Sequence, residues 1–107
     1  MSVELTYLES WFVRQCDEDW EHEYGIRIET TDNPGWTIEV DLLGSDLEGR
    51  LLSRRKLEPA VDRWVWVWSD GQRFNAACDA LSLNVALQQF HAFAEGRAPA
   101  TFGGDSG

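Results

Sequence analysis

The chain has 107 residues and a formal net charge of −10, from 19 Asp and Glu against 9 Lys and Arg, and it carries six Trp, five Phe and two Tyr. That length supplies one domain, which at this size buries about 60–70% of the unfolded chain's surface and so holds a core without staples. No apolar run approaches the roughly 20 residues of a membrane span, the opening residues carry Glu4 and Glu9 instead of the basic start of a secretory signal, and two distant cysteines are no disulfide framework, so a cytoplasmic protein with reduced thiols is expected.

A first helix is predicted from about Val3 to Asp17. Leu5, Leu8, Phe12 and Cys16 recur at steps of three and four, Trp11 widens the stripe, and Gln15 interrupts nothing. Five carboxylates then crowd into the seven residues after Cys16: Asp17, Glu18, Asp19, Glu21 and Glu23, with Trp20 and His22 among them. Negative charge is unfavourable at a helix C-terminus, so the helix should fray there into an acidic loop. From Tyr24 to Thr31 the period changes to two, with Ile26, Ile28 and Thr30 opposed to Arg27, Glu29 and Thr31. Asp32-Asn33-Pro34-Gly35 makes a tight turn, and in Asn33-Pro34-Gly35-Trp36 the central Pro and Gly predict type II geometry, with Gly35 at positive φ. Trp36, Ile38, Val40 and Leu42 alternate with Thr37, Glu39 and Asp41, which completes a hairpin.

Gly44-Ser45-Asp46 is a further turn, and Gly49 to Glu58, rich in Arg50, Arg54, Arg55 and Lys56, reads as a third strand ended by Pro59. Trp64-Val65-Trp66-Val67-Trp68 is a fourth, Asp70-Gly71 a hairpin turn, and Arg73 to Ala77 a short fifth strand. A last helix is predicted over Leu81 to Glu95, with Leu83, Ala86, Leu87, Phe90, Phe93 and Ala94 buried, Asp79 or Ser82 as cap and Gly96 as stop. Residues 97–107 are small, polar and glycine-rich, and are expected to be a disordered tail to a 1–96 domain. Each helix has one apolar stripe and the sheet one apolar face. The expected fold is therefore a single α+β domain: an antiparallel β-meander of about five strands, with N- and C-terminal helices packed on one face and the other face open.

Charge divides along the chain. Residues 1–48 hold thirteen acids against Arg14 and Arg27, while residues 49–107 hold six acids against seven bases. A single-signed half favours a basic macromolecular partner and repels nucleic acid. Chemistry of other kinds is poorly supplied. Cys16 with His22, and Cys78 with His91, are isolated pairs far short of a zinc signature, so no metal and no cofactor is expected. Cys16 as a nucleophile is disfavoured because neighbouring carboxylates suppress the thiolate. No acyl-transfer order or phosphate loop is present either, so the chain does not read as an enzyme. Either Trp64, Trp66 and Trp68 point under the helices or Val65 and Val67 do. The helix stripes already bring Phe12, Phe90 and Phe93, so the rings are read as facing outward, under Arg54 and Lys56 as cations.

Trp11, Cys16-Asp17, Trp20-Glu21-His22, Tyr24-Gly25-Ile26 and Asp32-Asn33-Pro34-Gly35-Trp36 resemble the signature of the immunity protein 53 family, small bacterial proteins that neutralise toxins of polymorphic toxin systems. The resemblance is dense from Leu8 to Asp41 and looser beyond; the Trp64 to Trp68 run is richer in Trp than the family pattern. It implies a cognate protein toxin as partner, with Cys16, His22, Tyr24, Gly25, Asp32, Asn33, Pro34, Gly35 and Trp36 as a structural motif. The residues themselves fit that role, because an inhibitor needs rigid aromatic anchors and complementary charge. Asp17, Glu18, Asp19, Trp20, Glu21, Glu23, Trp64 and Trp66 are the candidate partner-binding residues, the carboxylates acting as phosphate mimics in the basic groove of a nuclease-type toxin. The alternative is an acidic adaptor or nucleic-acid mimic with no toxin partner. Neither nucleic acid nor membrane is an expected partner.

Overall fold

The structure, a computed structural model, describes residues 3–96; the predicted tail lies outside the described residues. The elements run α1 (Val3–Gln15), α2 (Trp20–Glu23), β1 (Ile26–Thr31), β2 (Gly35–Asp41), β3 (Leu51–Leu57), β4 (Val65–Asp70), β5 (Arg73–Asp79) and α3 (Leu83–Ala94). The five strands form one antiparallel sheet and helices stand at both ends of the domain, as expected.

The strand order is β1-β2-β5-β4-β3, so the sheet is not one continuous meander. A hairpin, β1–β2, abuts a three-stranded meander, β3–β4–β5, through the pairing of β2 with β5. Side-chain chemistry explains the choice. β5 presents Phe74, Ala76 and Cys78 to the helices, all buried, and suits the centre. β3 carries Arg54, Arg55 and Lys56 on both faces and a register shift between Leu52 and Arg55, the charges and the bulge that protect an edge. Residues 42–50 make the long connection between β2 and β3, and tuck Leu42 and Leu47 into the core.

Ile38, Val40, Val65, Val67, Phe74, Ala76 and Cys78 make the apolar face. α3 lies on β4 and β5, and α1 packs on α3. Phe90 sits at the junction, its ring 5.3 Å from Trp11 and 5.2 Å from Phe74, both edge-to-face. The buried line of α1 runs through Leu8, Trp11 and Gln15, while Leu5 is 40% exposed and Phe12 half-buried. The stripe is thus displaced from the one that apolar residues alone define, because Gln15 has partners inside. Its Nε2 donates to Trp11 O (3.3 Å) and its Oε1 accepts from Asp46 N–H (3.1 Å), beside the bond from Trp11 Nε1 to Asp46 Oδ1 (3.1 Å). The helix ends at Gln15, so Cys16 lies outside it and is not a buried helix residue; its thiol donates to Phe12 O.

The turn at residues 32–34 also differs from expectation. Gly35 is the first residue of β2, paired with Thr31, and its φ is not in the left-handed region. Glycine is required there for space: a Cβ would lie 2.4 Å from the carbonyl oxygen of Cys78 on β5. On α3, Gln89 is 0% exposed and neither side-chain amide atom has a hydrogen-bond partner among the described residues. An unpaired buried polar group costs about 1–3 kcal/mol. Gln89→Met, which keeps the length and removes both polar atoms, should therefore raise the urea unfolding midpoint, and an unchanged or lowered midpoint would show the amide to be satisfied.

Candidate functional site

The acidic stretch is an ordered ridge, not a frayed loop. Asp17 Oδ1 accepts the backbone N–H of Asp19 (3.0 Å) and Trp20 (2.9 Å), and the Glu21 carboxylate accepts those of Asp17 (2.9 Å) and Glu18 (2.9 Å). This reciprocal capping starts the single turn of α2. The amides from Trp20 and Asp19 hold the Asp17 carboxyl below its ordinary range. Two of the five carboxylates are therefore engaged in building the ridge. Those of Glu18, Asp19 and Glu23 accept no hydrogen bond from a described residue and stand exposed. Glu18 has φ 79°, a left-handed conformation unusual for a non-glycine residue.

Trp20, expected on a partner surface, is in the core. It is 4% exposed, its Nε1 donates to Leu43 O (2.8 Å), and its ring meets Trp11 and Phe12 edge-on at 6.0 and 5.9 Å. It underpins the ridge from the core side. His22, placed in the structural motif, is exposed, and its backbone N–H donates to Asp19 O. Tyr24 is half-buried against Trp20, and Trp36 donates Nε1–H to Ala80 O (3.0 Å). Asp32 is exposed at the turn, Asn33 O accepts from Thr31 Oγ1, and Pro34 completes the turn.

Two recesses flank Tyr24. One, of about 360 Å³, is walled by Leu8, Glu9 and Phe12 of α1 and by Tyr24, Gly25 and Ile26. The other, of about 220 Å³, is lined by Asp17, Asp19, Trp20, Glu23, Tyr24 and Gly44. The first is apolar and runs beside β1, an edge strand; the second is ringed by carboxylates.

Trp64, Trp66 and Trp68 lie apart from this ridge, because β2 and β5 separate β4 from β1. Val65 and Val67 point inward and are fully buried, so Trp66 and Trp68 face outward. The Arg54 guanidinium lies 4.7 and 4.8 Å from their ring centroids, and the Lys56 ammonium 5.8 Å from Trp66. Trp64 is half-buried and its backbone N–H is bound by Asp79 Oδ1 (2.7 Å). The outer sheet face is consequently a cationic-aromatic patch at one edge. Towards β1 it becomes a neutralised ladder, in which Arg27 pairs with Glu39 (2.8 Å) and Arg73 with Asp41 (3.0 Å). The densest run of carboxylates therefore lies on the α2 ridge and not on the sheet.

Neither cysteine thiol is activated by its surroundings. Burial pushes the Cys78 thiol up to about 11, and desolvation together with Glu21 and Asp17 raises that of Cys16. His91 is taken up by Glu4 (2.5 Å) and by stacking on Tyr7. Among the described residues no three His, Cys, Asp or Glu converge on a metal position, and no helix is long and apolar enough to cross a membrane.

The α+β scaffold thus displays the exposed carboxylates of Glu18, Asp19 and Glu23 near an apolar recess. A sequence model of the immunity protein 53 family matches residues 5–95, and the chain belongs to that family. The family's description is that of an immunity protein, which implies a toxin as partner and a binding inhibitor instead of a catalyst. No curated protein and no solved structure matches the chain significantly.

Proposed function

We propose that this chain neutralises a cognate toxin of a bacterial polymorphic toxin system, in the cytoplasm, by seating the α2 ridge in a basic groove of a nuclease-type toxin. The observation that carries the reading is the division of labour on the ridge. Asp17 and Glu21 hold the backbone, and Glu18, Asp19 and Glu23 are left to face a partner. Pre-organised charge is more effective than the same charge on a mobile loop, because less order has to be imposed on binding. The left-handed Glu18 supports this, since backbone strain of that kind concentrates where geometry serves a site.

Steering by exposed charge has a kinetic signature. Screening shortens to about 10 Å at 0.1 M salt, so association with the toxin should slow as salt rises. Neutralising Glu18, Asp19 and Glu23 together (to Gln, Asn and Gln) should lower the low-salt association rate by about tenfold or more and leave the melting temperature unchanged. Asp17→Asn should instead loosen α2. Surface-binding kinetics across a salt series, with growth protection against the toxin encoded beside the immunity protein, provide the check. Unaltered kinetics in the triple variant would assign the ridge to solubility alone.

A further inference from the structure

Gly25 is a glycine that the fold does not need. Its φ is outside the left-handed region, and a Cβ built on it would meet nothing within 4 Å. Its backbone bonds, from its N–H to Asp41 Oδ2 (3.0 Å) and from Asp41 N–H to its carbonyl (3.0 Å), are open to any residue. Its bare backbone forms part of the wall of the 360 Å³ apolar recess between α1 and the start of β1, between the inward side chains of Tyr24 and Ile26.

That recess lies along a sheet edge. Among the described residues β1 has no neighbour on its outer side. Hydrogen-bonded and non-bonded pairs alternate along an antiparallel ladder. Because Asp41 N–H reaches Gly25 O, the alternate residues Ile26, Ile28 and Thr30 aim their backbone groups at the free edge. At one end, across Tyr24, lies the recess that holds Asp19 and Glu23.

We propose that these parts form one composite docking site for an extended segment of the toxin, which adds to the edge of β1 by strand pairing. The segment places a large apolar side chain in the recess over Gly25 and a neighbouring Lys or Arg against Asp19 and Glu23. Strand addition supplies backbone bonds, the recess supplies selectivity for a bulky apolar residue, and the carboxylates supply selectivity for a cation. The charge of the site settles the occupant. Glu9 rims the apolar recess, the next recess is lined by Asp17, Asp19 and Glu23, and residues 1–48 contain only two bases. The identity of the occupant as toxin rests on the immunity function proposed above.

The test uses the whole chain, labelled with nitrogen-15, and the capped peptide Lys-Leu-Lys-Leu-Lys as probe, with controls in which Leu is replaced by Ser or Lys by Glu. Saturable amide shifts are expected at Tyr24, Gly25, Ile26 and Ile28 with the first peptide and neither control. Ile28→Pro removes an N–H that faces the free edge and takes no bond from the β1–β2 ladder, so it should leave the protein folded and weaken peptide binding by about tenfold or more. Glu23→Lys, on an exposed side chain, is a second variant with the same expectation for binding. Absence of shifts at millimolar peptide, shifts confined to the Trp66–Trp68 patch, or equal binding by a folded Ile28→Pro would overturn the docking site. Growth protection separates the two proposals. If the parent protects against its neighbouring toxin and Ile28→Pro protects equally, the groove is wrong and the toxin reading stands. If the parent fails to protect, the toxin reading fails and the peptide titration still decides the groove.

Discussion

Trp20→Ala is expected to be among the most destabilising single changes in the chain, although Trp20 stands in the middle of the acidic ridge. The ring is 4% exposed and edges onto Trp11 and Phe12, and truncating such a side chain typically costs about 3–5 kcal/mol. Loss of the indole N–H also orphans the carbonyl of Leu43, for about 1 kcal/mol more. Against a total stability of roughly 5–15 kcal/mol for a small domain, that is about a third of the margin or more. The urea midpoint should fall by roughly 2 M or more. Trp66→Ala removes a half-buried ring and its contacts with Arg54 and Lys56, each about 0.5–1 kcal/mol, and should shift the midpoint far less. A folded Trp20→Ala protein with an unshifted midpoint and no toxin binding would return this ring to the partner surface.

Gly35→Val should be comparably damaging. Its Cβ would lie 2.4 Å from Cys78 O and 3.1 Å from Thr31 Oγ1, so β2 and β5 must separate where Gly35 faces Asp79. Overpacking of this kind costs about 3 kcal/mol, and because the first added carbon makes the clash, Gly35→Ala should show most of the loss. Chemical denaturation of both variants decides the matter. If Ala leaves the midpoint unchanged, the close approach of the strands is not what requires glycine.

These two residues mark where the sequence was legible and where it was not. Local periodicity disclosed the β1–β2 hairpin and the terminal helices, because each depends on neighbours a few residues apart. The inward Val65 and Val67 followed from the ring volume that Phe12, Phe90 and Phe93 already bring to the core. Trp20 was read as a surface ring because its hydrogen-bond partner lies 23 residues away in the β2–β3 connection. Gln15 was read only as not interrupting the helix for the same reason, its partner being the backbone of Asp46. Pro34-Gly35 matched a turn chemistry so well that the packing demand from β5 was invisible. Strand order was partly legible after all, since the charges of Arg54, Arg55 and Lys56 on both faces are edge chemistry. On the ridge, composition disclosed the density of carboxylates but not which of them are occupied. That distinction arises from the fold of α2, through Asp17 and Glu21.

The same distinction bears on how such a protein can change over time. Positions 18, 19 and 23 can be exchanged without loosening the turn that presents them, so long as Asp17, Glu21 and the Trp20 beneath them persist. A lineage facing a succession of altered toxins could therefore retune its recognition by surface substitutions alone, each nearly silent for folding, on a scaffold inherited intact.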